Sequence, residues 1–103
     1  MSDRLAAARA YVERKPTDRF GLYALAMELR KARDWEACFA AFDNLLVVHP
    51  DYGTGFYHYA MARKESGDRE GCIAVLERGL AACARSKDAH TEAEIESALD
   101  EMR

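Results

Sequence analysis

Proline is scarce in this chain, with two residues among 103, and strand signals are absent. Pro16, Pro50 and the Ser66-Gly67-Asp68 stretch fall between apolar-periodic segments of helical length, which excludes a sandwich or barrel and leaves an all-α reading. Cysteine is also sparse. Three cysteines are an odd number and none stands in a CxxC spacing, so neither a disulfide framework nor a zinc knuckle is indicated and reduced thiols are expected. An excess of basic charge is missing too: the formal net charge is −3, which offers no general attraction to phosphate backbones or anionic lipid and argues against nucleic acid and membrane as partners. The segment Met1-Ser2-Asp3-Arg4-Leu5 leads into an alanine-rich stretch interrupted by Arg9, too polar for a signal peptide or a membrane span. The expected location is therefore cytoplasmic. Disorder is excluded by the opposite measure, since 50% of the residues are apolar.

What the chain does have is a repeat. Pro16 and Pro50 lie 34 positions apart, and the same offset pairs Gly21 with Gly55, Tyr23 with Tyr57, Ala26 with Ala60, Met27 with Met61, Asp34 with Asp68, Glu36 with Glu70, Cys38 with Cys72, Ala40 with Ala74 and Leu46 with Leu80. A period of this size means stacked supersecondary units, none of which buries its apolar face alone. Six helices fit the breaks: Asp3 to Arg14, Asp18 to Lys31, Trp35 to Val48, Gly53 to Glu65, Arg69 to Ala84 and Lys87 to Met102. Ser2 or Asp3, Asp34 and Asp68 are N-cap types, Gly67 suits a helix end, and Pro16 and Pro50 stop the helices before them. Leu5, Ala8, Tyr11 and Val12 form the inner face of the first helix, Leu22, Leu25, Ala26 and Leu29 that of the second, and Trp35, Cys38, Phe42, Leu45 and Leu46 that of the third. The connections of two or three residues force each pair into an antiparallel hairpin. The last helix has only the thin stripe Ile95, Ala98, Leu99 and Met102 on a charged cylinder, the pattern of a cap, with an acidic docking surface as the other reading.

These residues resemble the tetratricopeptide repeat. Leu22-x-x-Leu25-Ala26-x-x-Leu29…Cys38-x-x-x-Phe42…Pro50 follows its pattern closely, whereas Phe56-x-x-Tyr59-Ala60-x-x-Arg63…Cys72-x-x-x-Leu76…Ala84 puts Arg63 at an aromatic position and loses the closing proline. The resemblance implies an all-α domain of helix hairpins stacked as a short right-handed superhelix. A half-repeat or capping helix would occupy 1–15, repeats 17–50 and 51–84, and a C-terminal cap 86–103. It also implies a non-catalytic protein-interaction module whose concave groove holds a segment of another protein. On the groove-lining face fall Phe20, Tyr23, Met27 and Arg30, and 34 positions on, Thr54, Tyr57, Met61 and Lys64, with His58 beside them. Methionine and tyrosine make an adaptable apolar surface with polar tips, and Arg30 and Lys64 suit a carboxylate on the segment. Tyr23 in particular also fits a packing role. The carboxylate clamp by which some members hold acidic chaperone tails is not matched, because Tyr23, Met27, His58 and Glu92 stand where its donors would be.

No cofactor or metal is expected. His49, His58 and His90 have no ligand spacing on one helix, and Cys38 and Cys72 occupy small-residue packing positions. Cys83 reads as less constrained, which leaves an enzyme or redox protein using Cys83 or a histidine as a minor alternative. The main alternative is an assembly role, with the groove filled by another copy in a homo-oligomer. Gly21 and Gly55, early in paired helices, suggest close approach by a neighbour or ligand.

Overall fold

The computed structural model describes residues 2–103, and Met1, read above as part of the polar leader, lies outside the described residues. Among the described residues six helices form two compact units, which meet in sequence at His49 and Pro50.

The first unit contains α1 (Asp3–Arg14), α2 (Arg19–Lys31) and α3 (Trp35–Val48), with α2 packed on both others. Each start is capped. Ser2 Oγ accepts from the Leu5 N–H at 3.1 Å, Asp18 Oδ2 from the Gly21 N–H at 2.8 Å, and Asp34 Oδ1 from the Ala37 N–H at 3.4 Å, satisfying donors that a helix start leaves unpaired. Tyr11 donates its hydroxyl to the same Asp18 oxygen, and its ring lies where a Cβ on residue 21 would come within 2.5 Å, so glycine is required there. This is the close approach expected of Gly21, made by a neighbour. Leu22, Ala26, Leu29, Cys38, Phe42, Leu45 and Leu46 are buried between α2 and α3 and Leu5 against them, while Trp35, expected inside, is half-buried and carries the Arg33 guanidinium over its ring. The small Ala26 and Cys38 let the helices approach until the Cys38 thiol donates to the Ala26 carbonyl at 3.6 Å. His49 Nε2 bonds the Thr17 carbonyl at 2.8 Å and ties the end of α3 to the start of the hairpin.

The second unit contains α4 (Gly53–Glu65), α5 (Arg69–Ser86) and α6 (Ala89–Met102), each packed on the other two. Gly67 takes a φ of +90° at the hairpin turn and Asp68 caps α5 through the Gly71 N–H at 2.9 Å, as their types imply. Residue 79 sits where a Cβ would fall 2.8 Å from Ile95 Cδ1 and 2.9 Å from Phe56 Cβ, so Gly79 is what lets α5 be flanked closely by α4 and α6. Ile95, Leu99 and Met102 are buried against this pair with Phe56, Tyr59, Cys72, Val75 and Leu76, and Ala98 of the same stripe is half-buried. Helix α5 runs two residues past Ala84, because the Ser86 hydroxyl bonds back to the Ala82 carbonyl at 3.0 Å and Lys87 takes the left-handed conformation that ends it. Helix α6 consequently starts at Ala89, two residues after the expected Lys87, with Asp88 as its cap.

Candidate functional site

Tyr57, Met61 and Lys64 recur every three or four residues along one face of α4, and that face meets α6 at one edge. Together with Glu94, Ser97, Ala98, Glu101 and Met102 they line a shallow cleft of about 240 Å³. Its floor is the Tyr57 ring, the Met61 thioether and the side chains of Ala98 and Met102; its rim is charged. The cleft therefore brings together three of the residues assigned to the binding face. Thr54 and His58 are half-buried outside its lining, with the His58 ring edge-on to Tyr57 at 5.3 Å between centroids.

The corresponding face of α2 stands in the first unit. Phe20 is 75% exposed, and Tyr23, Met27 and Arg30 are half-buried, with Arg30 Nη1 reaching Met27 Sδ at 4.0 Å. An open hollow elsewhere in this unit is lined by Ser2, Arg4, Leu5, Glu28, Lys31 and Ala32.

Sequence reasoning missed what α6 contributes. Glu94, Ser97 and Glu101 run along α6 beside Ala98 of the apolar stripe, at the i, i+3, i+4, i+7 spacing that marks one helix face. The row was visible, but its destination depends on how α6 docks.

The second repeat departs most from its pattern at Arg63, and the surroundings explain the substitution. Its guanidinium donates to Asp68 Oδ2 at 2.9 Å and to the Tyr59 hydroxyl at 2.7 Å while lying over the Tyr59 ring. The backbone hydrogen bond from Gly71 and then the Arg63 guanidinium hold the Asp68 carboxyl below its ordinary range. Arg63 is thus a staple across the hairpin turn.

The thiols offer no nucleophile. None of the three cysteines is in a disulfide and all are buried, and burial pushes the Cys72 and Cys83 thiols up, the reverse of what activates a cysteine. Cys83, read from sequence as less constrained, is packed with its Sγ 2.5 Å from where a Gly53 Cβ would be. His49 is engaged with Thr17, and exposed His90 lies 3.5 Å from Glu94. Among the described residues no group of three or more His, Cys, Asp or Glu is arranged to hold a metal ion, and no helix is long and apolar enough to cross a membrane.

The architecture has relatives among solved structures. A tetratricopeptide repeat domain protein from Salinibacter ruber, determined by NMR in solution, is similar with a TM-score of 0.78 at 24% identity, over 85% of this chain and 89% of that one. A protein from Bordetella parapertussis is similar with a TM-score of 0.81 at 19% identity, over 99% of this chain and 89% of that one. No family model and no curated protein matches the sequence. The chain has a tetratricopeptide-like fold: all helical, built from antiparallel hairpins at the spacing of that repeat.

Proposed function

We propose that this chain is a non-catalytic protein-interaction module that holds a segment of another protein against the Tyr57, Met61 and Lys64 face of α4. The observation that carries this reading is the cleft in which Tyr57, Met61 and Lys64 meet α6, a concave apolar floor with polar edges. Thr54 and His58 extend the face along α4. In the first unit Phe20, Tyr23, Met27 and Arg30 offer a second apolar face, where Arg30 is the cation for a carboxylate on a segment bound there. The sequence supports treating both units as consecutive repeats of one domain, with α1 and α6 as its end helices. The buried, reduced thiols suit a cytoplasmic protein.

The test is selection of binders from a random displayed peptide library, on the wild-type chain and on Tyr57→Ala/Met61→Glu. Both side chains are half-buried, so the double variant keeps its helicity and cooperative melting but loses the selected peptides. If it unfolds, these residues belong to the core; if it folds and keeps the same peptides, the site lies on another face. Self-association is the second reading, favoured by exposed Phe20, and a solution mass of more than one chain identifies it.

A further inference from the structure

We infer that the cleft between α4 and α6 takes a lysine or arginine side chain carried on an otherwise apolar partner segment. This rests on the reading of the cleft as a segment-binding surface and adds the charge of what enters it. Two carboxylates, Glu94 and Glu101, stand seven residues apart on α6, two turns or about 10 Å along one face. A single cation, Lys64, faces them from α4, and neither Lys64 nor Glu101 is ion-paired among the described residues. Among the described residues the ion-pair partner of Glu94 is the His90 imidazole, which is charged only when protonated. Of the other cations near the end of α6, Arg103 pairs with Glu77 at 3.0 Å, and Arg69 is held by the Met102 main-chain carbonyl at the helix end and is not among the lining side chains. The cleft lining is therefore acidic on balance.

Helix polarity adds to this. Lys64 lies in the last turn of α4, so the cleft includes that helix C-terminus, whose partial negative charge favours a cation, while at the end of α6 the Met102 carbonyl already accepts from Arg69. The floor suits the stem of a long basic side chain. Its methylenes cover Met61, Ala98 and Met102 while the head reaches the glutamates, and the Tyr57 ring offers a π-face to the charge. An aspartate or glutamate in the same place would face two carboxylates, with Lys64 the one lining cation in its favour.

The experiment uses the full chain and the same displayed library. Peptides lost on Tyr57→Ala/Met61→Lys, which spoils the apolar floor without adding a carboxylate, should be enriched in lysine or arginine next to apolar residues. A lysine-bearing peptide from that pool should bind roughly three- to tenfold more weakly to Glu94→Gln/Glu101→Gln at low salt, with the difference shrinking as salt rises. Lys64→Gln should bind it more tightly, because the competing cation is gone. Cleft-dependent peptides that are acidic or without charge preference would overturn the inference while leaving segment binding intact, as would weaker binding to Lys64→Gln. An empty selection would overturn both. So would a wild-type dimer that Tyr57→Ala/Met61→Glu reduces to one chain, since a second copy would then fill the cleft.

Discussion

The two hairpins descend from one 34-residue pattern and solve its edges differently. Their interiors agree: Ala26 and Ala60 face Cys38 and Cys72, all fully buried, and Phe42 and Leu76 fill the space beside them. Their ends do not. Where the first unit closes with His49 bonded to the Thr17 carbonyl, the second uses Arg85, which donates to Asp51 at 2.5 Å and to the Pro50 carbonyl at 3.0 Å. Where Asp18 caps α2, the equivalent Tyr52 gives α4 no side-chain cap. Close approach of two helices constrains residue size at the interior positions, whereas an end needs only some donor and some acceptor in reach. The flanking helices differ most. Helix α1 buries Leu5 alone, while α6 buries Thr91, Ile95, Leu99 and Met102.

That contrast leads to the largest expected effect. Truncation after Ser86 removes three large buried side chains, each worth about 1.5 to 3 kcal/mol, and uncovers the flank of α5 at Gly79. The second unit should lose cooperative melting or aggregate. Removal of residues 1–15 should cost less, because one buried leucine and the half-buried Tyr11 ring are lost. Differential scanning calorimetry of the two truncations checks the order, and equal losses would mean that α6 contributes no more than α1.

Much of this was legible in the sequence, for a physical reason that also marks the limit. The bounds of α1 and α3 and the start of α5 follow from local chemistry, since Pro16 and Pro50 stop helices and Ser2, Asp34 and Asp68 begin them. The buried rows at Ala26, Cys38, Ala60 and Cys72 follow from the repeat. What was not legible depends on contacts distant in sequence or on exchanged partners. The position of Glu94 and Glu101 at the cleft requires knowing that α6 reaches α4. The burial of Cys83 requires Gly53, thirty residues earlier in the chain. Arg63 looks like a defect in the pattern until Tyr59 and Asp68 are seen to hold it.

The next effect exchanges that staple between units. Leu29 is the first-unit equivalent of Arg63 and is buried, with Leu25 where the second unit has Tyr59. Leu29→Arg should destabilise by about 3 kcal/mol or more, because Asp34 is present but the tyrosine hydroxyl and ring are not. Adding Leu25→Tyr should recover part of the loss. The reverse change, Arg63→Leu, should cost less, about 1 to 3 kcal/mol, because an apolar side chain suits the equivalent site but the buried Tyr59 hydroxyl loses the guanidinium that donates to it. Urea midpoints of the three variants measure this, and a harmless Leu29→Arg would show that the staple needs no tyrosine.

The smallest effect concerns the two turns. Arg33 and Gly67 are equivalent, and both have positive φ, 58° and 90°. A non-glycine residue in the left-handed region costs about 1 to 2 kcal/mol. The first unit offsets part of that cost by laying the Arg33 guanidinium 5.1 Å from the centre of the Trp35 ring, a contact worth about 0.5 to 1 kcal/mol at an exposed site. The second unit has Arg69 where the tryptophan would be, so no such offset is available. Gly67→Arg should therefore lower stability by about 1 to 2 kcal/mol, the full backbone cost with a guanidinium placed close to Arg69. Arg33→Gly should raise stability by only about 0.5 kcal/mol, because the relieved backbone is balanced against the lost ring contact and the greater freedom of glycine in the unfolded chain. Trp35→Ala in the Arg33→Gly background separates these contributions: the tryptophan should matter less there than in the wild type. An Arg33→Gly variant less stable than the wild type would mean that the cation over Trp35 contributes more than the backbone strain it accompanies.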